Sequence, residues 1–278
     1  MKVKVLASAP TSMTVRFEDV TPPLVNALRR TLLADVPKMA IEDVEFHLGP
    51  IRAEDGKEYE SVAPLFDEII SHRLGLIPIP TDLALFVPRS ECPNCNGEGC
   101  PTCTIIYSLN KRGPTTVLSG DLEPIGDPKL KPTDANIPIV KLGEGQALLV
   151  YASAILGTGR DHAKWQVAHG VGYRFVPFLR VGGKTIEASE AEVPACEDHM
   201  LRPTTEETTV ELRSDCKACK KFADAYDVKS VKVFHDPSKI ELRFETDGSL
   251  GAKDALFTAL DVLEKRLSEI ASLAEQLG

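Results

Sequence analysis

Apolar and polar residues alternate along two short runs within residues 3–17, which is the two-residue period of half-buried strands. The period then lengthens. Leu24, Leu28 and Leu32 recur every four residues behind Thr21, a residue suited to capping, and Pro22, suited to a first turn. With Pro37 as the stop, a helix is predicted whose apolar stripe leaves Arg29 and Arg30 pointing elsewhere. A second helix is predicted over residues 64–74, from the spacing of Leu65, Ile69 and His72 or Arg73, with Gly75 ending it. Residues 120–145 are dense in Pro, Gly and Asp and read mostly as loop; residues 146–156, 171–181 and 230–245 read as strands.

The clearest periodicity comes last. In KDALFTALDVLEKRLSEIASLAEQLG, steps of four and three link Leu256, Leu260, Leu263, Leu267, Ile270 and Leu277, with Ala274 between the last two. Such a heptad seam requires a partner, either the chain's own sheet or a second chain. No repeat of solenoid length is present. The elements together define an α+β chain.

At 278 residues the chain suffices for one large domain or two to three smaller ones. No apolar run reaches the ~18 residues of a membrane span, and MKVKVLASAP is too short and alternating for a signal peptide, so a soluble, cytoplasmic protein is expected. The net charge of -9 disfavours direct nucleic-acid binding, because phosphates repel excess carboxylate.

Seven cysteines change the picture. Four fall in ECPNCNGEGCPTC, where Cys92 and Cys95, then Cys100 and Cys103, form two knuckles joined by a turn holding Gly97 and Gly99. Two thiolate pairs at this spacing suit a tetrahedral zinc ion, and the loop carries no apolar residue able to order it otherwise. The stretch also matches one CxxCxGxG unit of DnaJ-type chaperones, which carry several; a zinc-binding module of that type is the alternative. Ferredoxin spacing does not fit. Cys196, Cys216 and Cys219 form a second set that would hold a three-iron cluster, or zinc with His199, or no metal at all.

ILGTGRDHA tempts towards a dinucleotide loop, but His162 stands where a third glycine or alanine belongs and no helix pattern follows. A glycine turn is expected. His72, His162 and His169 accompany no recognisable nucleophile, which argues against a hydrolase.

Three stretches converge on one family. VNALRRTLLADVPKMAIEDVEF, LFDEIISHRLGLIPIP and LGTGRDHAKWQVA together resemble the D subunit of archaeal RNA polymerase, a relative of the third-largest eukaryotic polymerase subunit and of the bacterial alpha amino-terminal domain. The resemblance extends over essentially the whole chain, more loosely at residues 186–228. It implies a non-catalytic assembly subunit that pairs with the smaller subunit L to form the platform for the large catalytic subunits, with the large B subunit and the small subunits N and P as further partners. It also implies a discontinuous dimerization domain, residues 1–41, 169–184 and 229–278. A mostly β inserted domain would fill residues 42–168 and carry the zinc loop, and a small ferredoxin-like insert would fill 185–228. Arg29 and Arg30 would face one of the large subunits. The partner surface would join Leu24, Leu28 and Leu32 to Leu256, Leu260, Leu263, Leu267 and Ile270. One departure stands out: members with an iron-sulfur cluster place a further cysteine three residues past the CxxC, where this chain has Phe222. A four-iron site is therefore not expected; a three-iron cluster or an emptied site both remain.

Overall fold

The computed structural model describes residues 1–52, 56–188, 208–212 and 217–277. In chain order the elements are β1 (Lys2–Ala9), β2 (Ser12–Glu18), α1 (Pro22–Ala34), β3 (Pro37–Phe46), β4 (Pro50–Arg52), β5 (Glu58–Glu60) and α2 (Asp67–Gly75). Then follow β6 (Thr104–Arg112), β7 (Thr115–Leu118), β8 (Glu123–Pro124), β9 (Pro138–Leu142) and β10 (Ala147–Thr158). The last are β11 (Ala168–Val181), β12 (Lys184–Glu187), β13 (Thr208–Glu211), α3 (Lys217–Tyr226), β14 (Ser230–Thr246) and α4 (Ala252–Leu277). They divide between two compact units, one of residues 1–8, 13–29 and 171–243, the other of residues 9–12, 30–170 and 244–278.

The first unit is built on a six-stranded sheet in the order β1-β2-β14-β11-β12, with β13 also paired to β14. Alternation in SMTVRFE buries Met13, Val15 and Phe17 on one face, as expected of a half-covered strand. Arg16, on the other face, ties three strands together. Its Nε and Nη2 donate to Glu241 at 3.1 and 2.7 Å and its Nη1 to Glu187 at 2.6 Å, while Arg174 Nε donates to Glu241 at 2.8 Å. Burial acts to raise the Glu241 carboxyl, but the bonds from Arg16 and Arg174 outweigh it and hold the group below the ordinary carboxylate range. Strands β12 and β13, from the segment expected as a ferredoxin-like insert, pair directly with β11 and β14.

The second unit holds the antiparallel sheet β3-β10-β6-β8. Strand β10 is central, pairing Val150 with Phe46 on one side and with Leu109 on the other, and a bulge at Ser153/Ala154 interrupts its register with β3. Its core gathers Met39, Ile41, Ile79, Tyr107, Leu109 and Val150, with Ile70 and Leu74 from α2. The predicted second helix starts later than its spacing implied. Pro64 and Leu65 precede it, Phe66 stays extended at the N-cap, and Asp67 and Glu68 open the first turn, where acidic groups oppose the positive helix end. Ile70 and Leu74, rather than Leu65 and Ile69, are therefore the buried pair, and Gly75 is the last helical residue. Residues 120–145 are also more ordered than expected. PIVKL forms β9 against β7 because Ile139, Val140 and Leu142 can all be buried there, despite flanking Pro and Gly.

The LGTG segment is a site of close packing. A Cβ on Gly157 would lie 2.4 Å from the Trp165 ring, and one on Gly159 would lie 2.5 Å from Leu33 O. Trp165 is held there by its own Nε1, which donates to Ile155 O at 3.1 Å. A single 3-10 turn, Ala163–Trp165, follows instead of a helix. Among the described residues no helix is long and apolar enough to cross a membrane.

Candidate metal centre and partner surface

A 3-10 turn, Arg89–Glu91, leads into Cys92. The chain then doubles back through Asn96, Gly97 and Gly99, all at positive φ, which glycine adopts without strain and asparagine tolerates. This brings Cys92, Cys95, Cys100 and Cys103 together, with all four sulfurs within 4.8 Å of one another. Cys92 to Cys100 is 3.6 Å, Cys95 to Cys103 is 3.5 Å and Cys100 to Cys103 is 3.8 Å. Disulfides need about 2.05 Å, and these thiols are free. Four sulfurs round one tetrahedral ion, at metal–sulfur bonds of about 2.3 Å, stand about 3.8 Å apart. The loop thus has the dimensions for a single ion held by four thiolates, whereas a cluster would spread its ligands over several irons.

Neighbouring groups favour the thiolate at Cys92 and Cys100. Thr102 Oγ1 lies 2.9 Å from Cys100 Sγ and 3.5 Å from Cys92 Sγ, while accepting from Asn94 Nδ2 at 3.1 Å. The Thr102 hydroxyl lowers the Cys92 thiol to about 6 and pulls Cys100 in the same direction, whereas burial pushes Cys103 up to about 11. Gly99 N–H and Cys100 N–H donate to Cys95 Sγ and Cys103 Sγ, both at 3.3 Å. Thr102, Asn94 and Arg89 belong to no motif that the sequence announces; the only signal is that Asn94 lies inside the first knuckle and Thr102 inside the second.

Of the second cysteine set, Cys196 and Cys216 lie outside the described residues. Cys219 is buried on α3, and Phe222 packs into a core with Leu179, Val181, Val231 and Val233 and against the Tyr226 ring. Phe222 thus fills apolar space at the position where a further ligand would stand.

The apolar stripes divide. In α1, Leu28 and Leu32 are 3% and 0% exposed, with Val25, so the chain's own core already uses them, whereas Leu24 is 41% exposed. That corrects the expectation of one shared outward face. The reason is that Val25, one residue on from Leu24, completes the inward stripe at the three- and four-residue spacing of a helix. Arg29 donates to Asn26 one turn back at 3.0 Å, and Arg30 is exposed. In α4, Ala252, Ala255, Leu256 and Ala259 are buried. Beyond them Leu263 is half-buried, Leu260 is exposed, and Leu267 and Ile270 are 54% and 63% exposed, joined by Leu273. The middle of α4 is tied down by Asp35, whose carboxylate receives Arg266 of the helix and also Arg160 at 3.0 and 2.7 Å.

These features define a mixed α/β chain with a four-thiol loop and an uncovered helical seam, and residues 51–172 match the family model described as the RNA polymerase Rpb3/RpoA insert domain. The chain is 44% identical to DNA-directed RNA polymerase subunit Rpo3 of Thermoplasma volcanium over 96% of each chain. It is 45% identical to the Rpo3 subunit of Picrophilus torridus over 92% of this chain and 93% of that one, and 34% identical to that of Methanosarcina mazei over 100% and 99%. The chain belongs to the Rpo3 family of DNA-directed RNA polymerase subunits. The alternative of a DnaJ-type chaperone is accordingly not supported, since the likeness to polymerase subunits runs the full length of the chain.

Proposed function

We propose that this chain is a non-catalytic assembly subunit of the polymerase, which pairs with the smaller subunit L and presents the pair to the large subunits. The observation that carries this reading is the apolar seam on the outer half of α4, left in water by a chain whose whole length matches polymerase subunits. Leu260, Leu263, Leu267 and Ile270, with Leu24, are the residues for subunit L, while Leu28, Leu32 and Leu256 support the surface from inside the fold. Arg29 and Arg30 face one of the large subunits, and the large B subunit and the small subunits N and P complete the surroundings in the cytoplasm of an archaeon. The domain limits stay as the resemblance implies: dimerization domain 1–41, 169–184 and 229–278, inserted domain 42–168, ferredoxin-like insert 185–228. The pairing of β12 with β11 and of β13 with β14 supports reading that insert as an outgrowth of the main sheet.

Zinc is the ion assigned to Cys92, Cys95, Cys100 and Cys103, because it accepts four thiolates tetrahedrally without redox chemistry. When bound it orders the loop; it performs no reaction. The Cys196, Cys216 and Cys219 set would carry at most a three-iron cluster, because Phe222 supplies no fourth thiolate. The test is co-expression with subunit L followed by native mass spectrometry and elemental analysis. A one-to-one pair holding one zinc is expected, with the zinc lost and the pair retained in Cys95→Ser/Cys103→Ser. A monomeric chain alongside folded subunit L, or zinc content unchanged by the double variant, would overturn the corresponding half.

A further inference from the structure

We propose that Arg89 is a positioning residue of the metal centre, holding the turn between the two cysteine pairs in the conformation that brings the four sulfurs together; this rests on the reading of one zinc on four thiolates. Arg89 lies three residues before Cys92 and reaches across the loop. Its Nε donates to Gly97 O and its Nη2 to Glu98 O, each at 2.8 Å, and its Nη1 lies 3.8 Å from the Asp43 carboxylate on β3. Both carbonyls belong to the turn between Cys95 and Cys100.

The second of these bonds connects to sulfur through one peptide plane. Glu98 C=O and Gly99 N–H belong to the same peptide unit, which is planar and trans, so the two groups point in opposite directions. With the carbonyl drawn to Arg89, the N–H is aimed at Cys95 Sγ, 3.3 Å away. The positive guanidinium also polarises that peptide and makes the N–H a stronger donor to a thiolate. Gly99 suits this turn because its φ is +105°, a conformation that strains a residue with a side chain. Nothing else in residues 96–99 is apolar enough to hold the turn by packing. Through Asp43 the same side chain ties the loop to the sheet that carries it.

Arg89 is also part of the wall of a groove of about 550 Å³, in which the loop residues Glu98, Gly99, Cys100 and Pro101 face Ile106 and Ile125. A loop released from Arg89 would lose that wall. The metal centre and the groove thus share Arg89 as well as the ligand Cys100.

The experiment compares the full chain, paired with subunit L, as wild type, Arg89→Met and Arg89→Lys. Zinc affinity is read by competition with a chromophoric chelator, and ligation by the absorption of the cobalt-substituted protein. Arg89→Met is expected to bind zinc ~10- to 100-fold more weakly and release it faster, the range found when groups that orient metal ligands are removed. Arg89→Lys should fall between, because an ammonium group cannot span both carbonyls. At saturating cobalt both variants should show the wild-type thiolate spectrum, since no ligand is lost, and metal-saturated thermal unfolding should be unchanged. Wild-type zinc affinity and release in a folded Arg89→Met chain would overturn the proposal; if that variant does not fold, wild-type values in Arg89→Lys would do the same. A wild-type chain that takes up neither zinc nor cobalt would instead overturn the metal assignment itself.

Discussion

Replacing Leu267 and Ile270 together by Ala tests the partner surface without disturbing the fold that carries it. Both residues stand largely in water in this chain, at 54% and 63% exposure, and alanine maintains the helix. Fully burying a Leu or Ile side chain contributes about 1.5 to 3 kcal/mol, and slightly more than half of each remains to be gained on pairing. The pair should then lose about 2 to 3.5 kcal/mol of association free energy, roughly 20- to 400-fold in Kd. The ordering and orientational terms of association are common to both proteins and drop out of the comparison. The assay is isothermal titration of subunit L into the chain, with urea unfolding of the chain alone as control. Leu256→Ala makes the complementary case, since that residue is 8% exposed on the inner face of the same helix. It should cost the chain about 2 to 5 kcal/mol in its own stability. An unchanged Kd in the double variant, or a loss of the chain's stability matching that of Leu256→Ala, would refute the division of α4 into an inner root and an outer docking half.

Two further outcomes follow from packing and charge. Gly157→Ala should destabilise the chain by about 1 to 3 kcal/mol, because the new methyl meets the ring of Trp165; the fluorescence of this single tryptophan reports it, and an unshifted spectrum with unchanged stability would contradict the clash. Asp35 is held below the ordinary carboxylate range, since burial, which would raise it, is outweighed by Arg266 and Arg160. Its contribution is therefore complete above the ordinary aspartate value of about 3.9 and lost as pH falls through the lower folded value. Asp35→Asn should remove that part of the acid sensitivity, seen as a shallower fall in unfolding free energy below about pH 4 than in wild type; parallel curves would exclude it.

The contrast between α1 and α4 shows how far apolar spacing can be read. Both stripes have the same local signature, and it correctly marks helices at both places. It carries no information on what covers the stripe: among the described residues, Leu28 and Leu32 are covered by the chain itself, while Leu267 and Ile270 stay more than half exposed. That outcome depends on residues far away in sequence. The four-cysteine loop is readable from sequence because its chemistry is local, with all ligands inside thirteen residues. Arg89 and Thr102 are not, because their action depends on backbone carbonyls and hydroxyl direction, which leave no trace in residue identity. Strand β9 is hidden for a related reason: its Pro- and Gly-rich flanks dominate the window, although Ile139, Val140 and Leu142 pair and bury normally.

The strand order of the larger sheet also constrains the order of events on the ribosome. Strand β14, residues Ser230–Thr246, lies between β2 and β11, so the hairpin of β1 and β2 must wait for more than two hundred residues of later chain before it gains its neighbour. Chain emerges at ~5 to 20 residues per second, so that interval lasts roughly ten to fifty seconds. During it, residues 30–170 are already available to fold around β10. The outer half of α4 is translated after the strand that completes the sheet. A nascent chain therefore has no recruiting helix to offer until every strand of that sheet has been made.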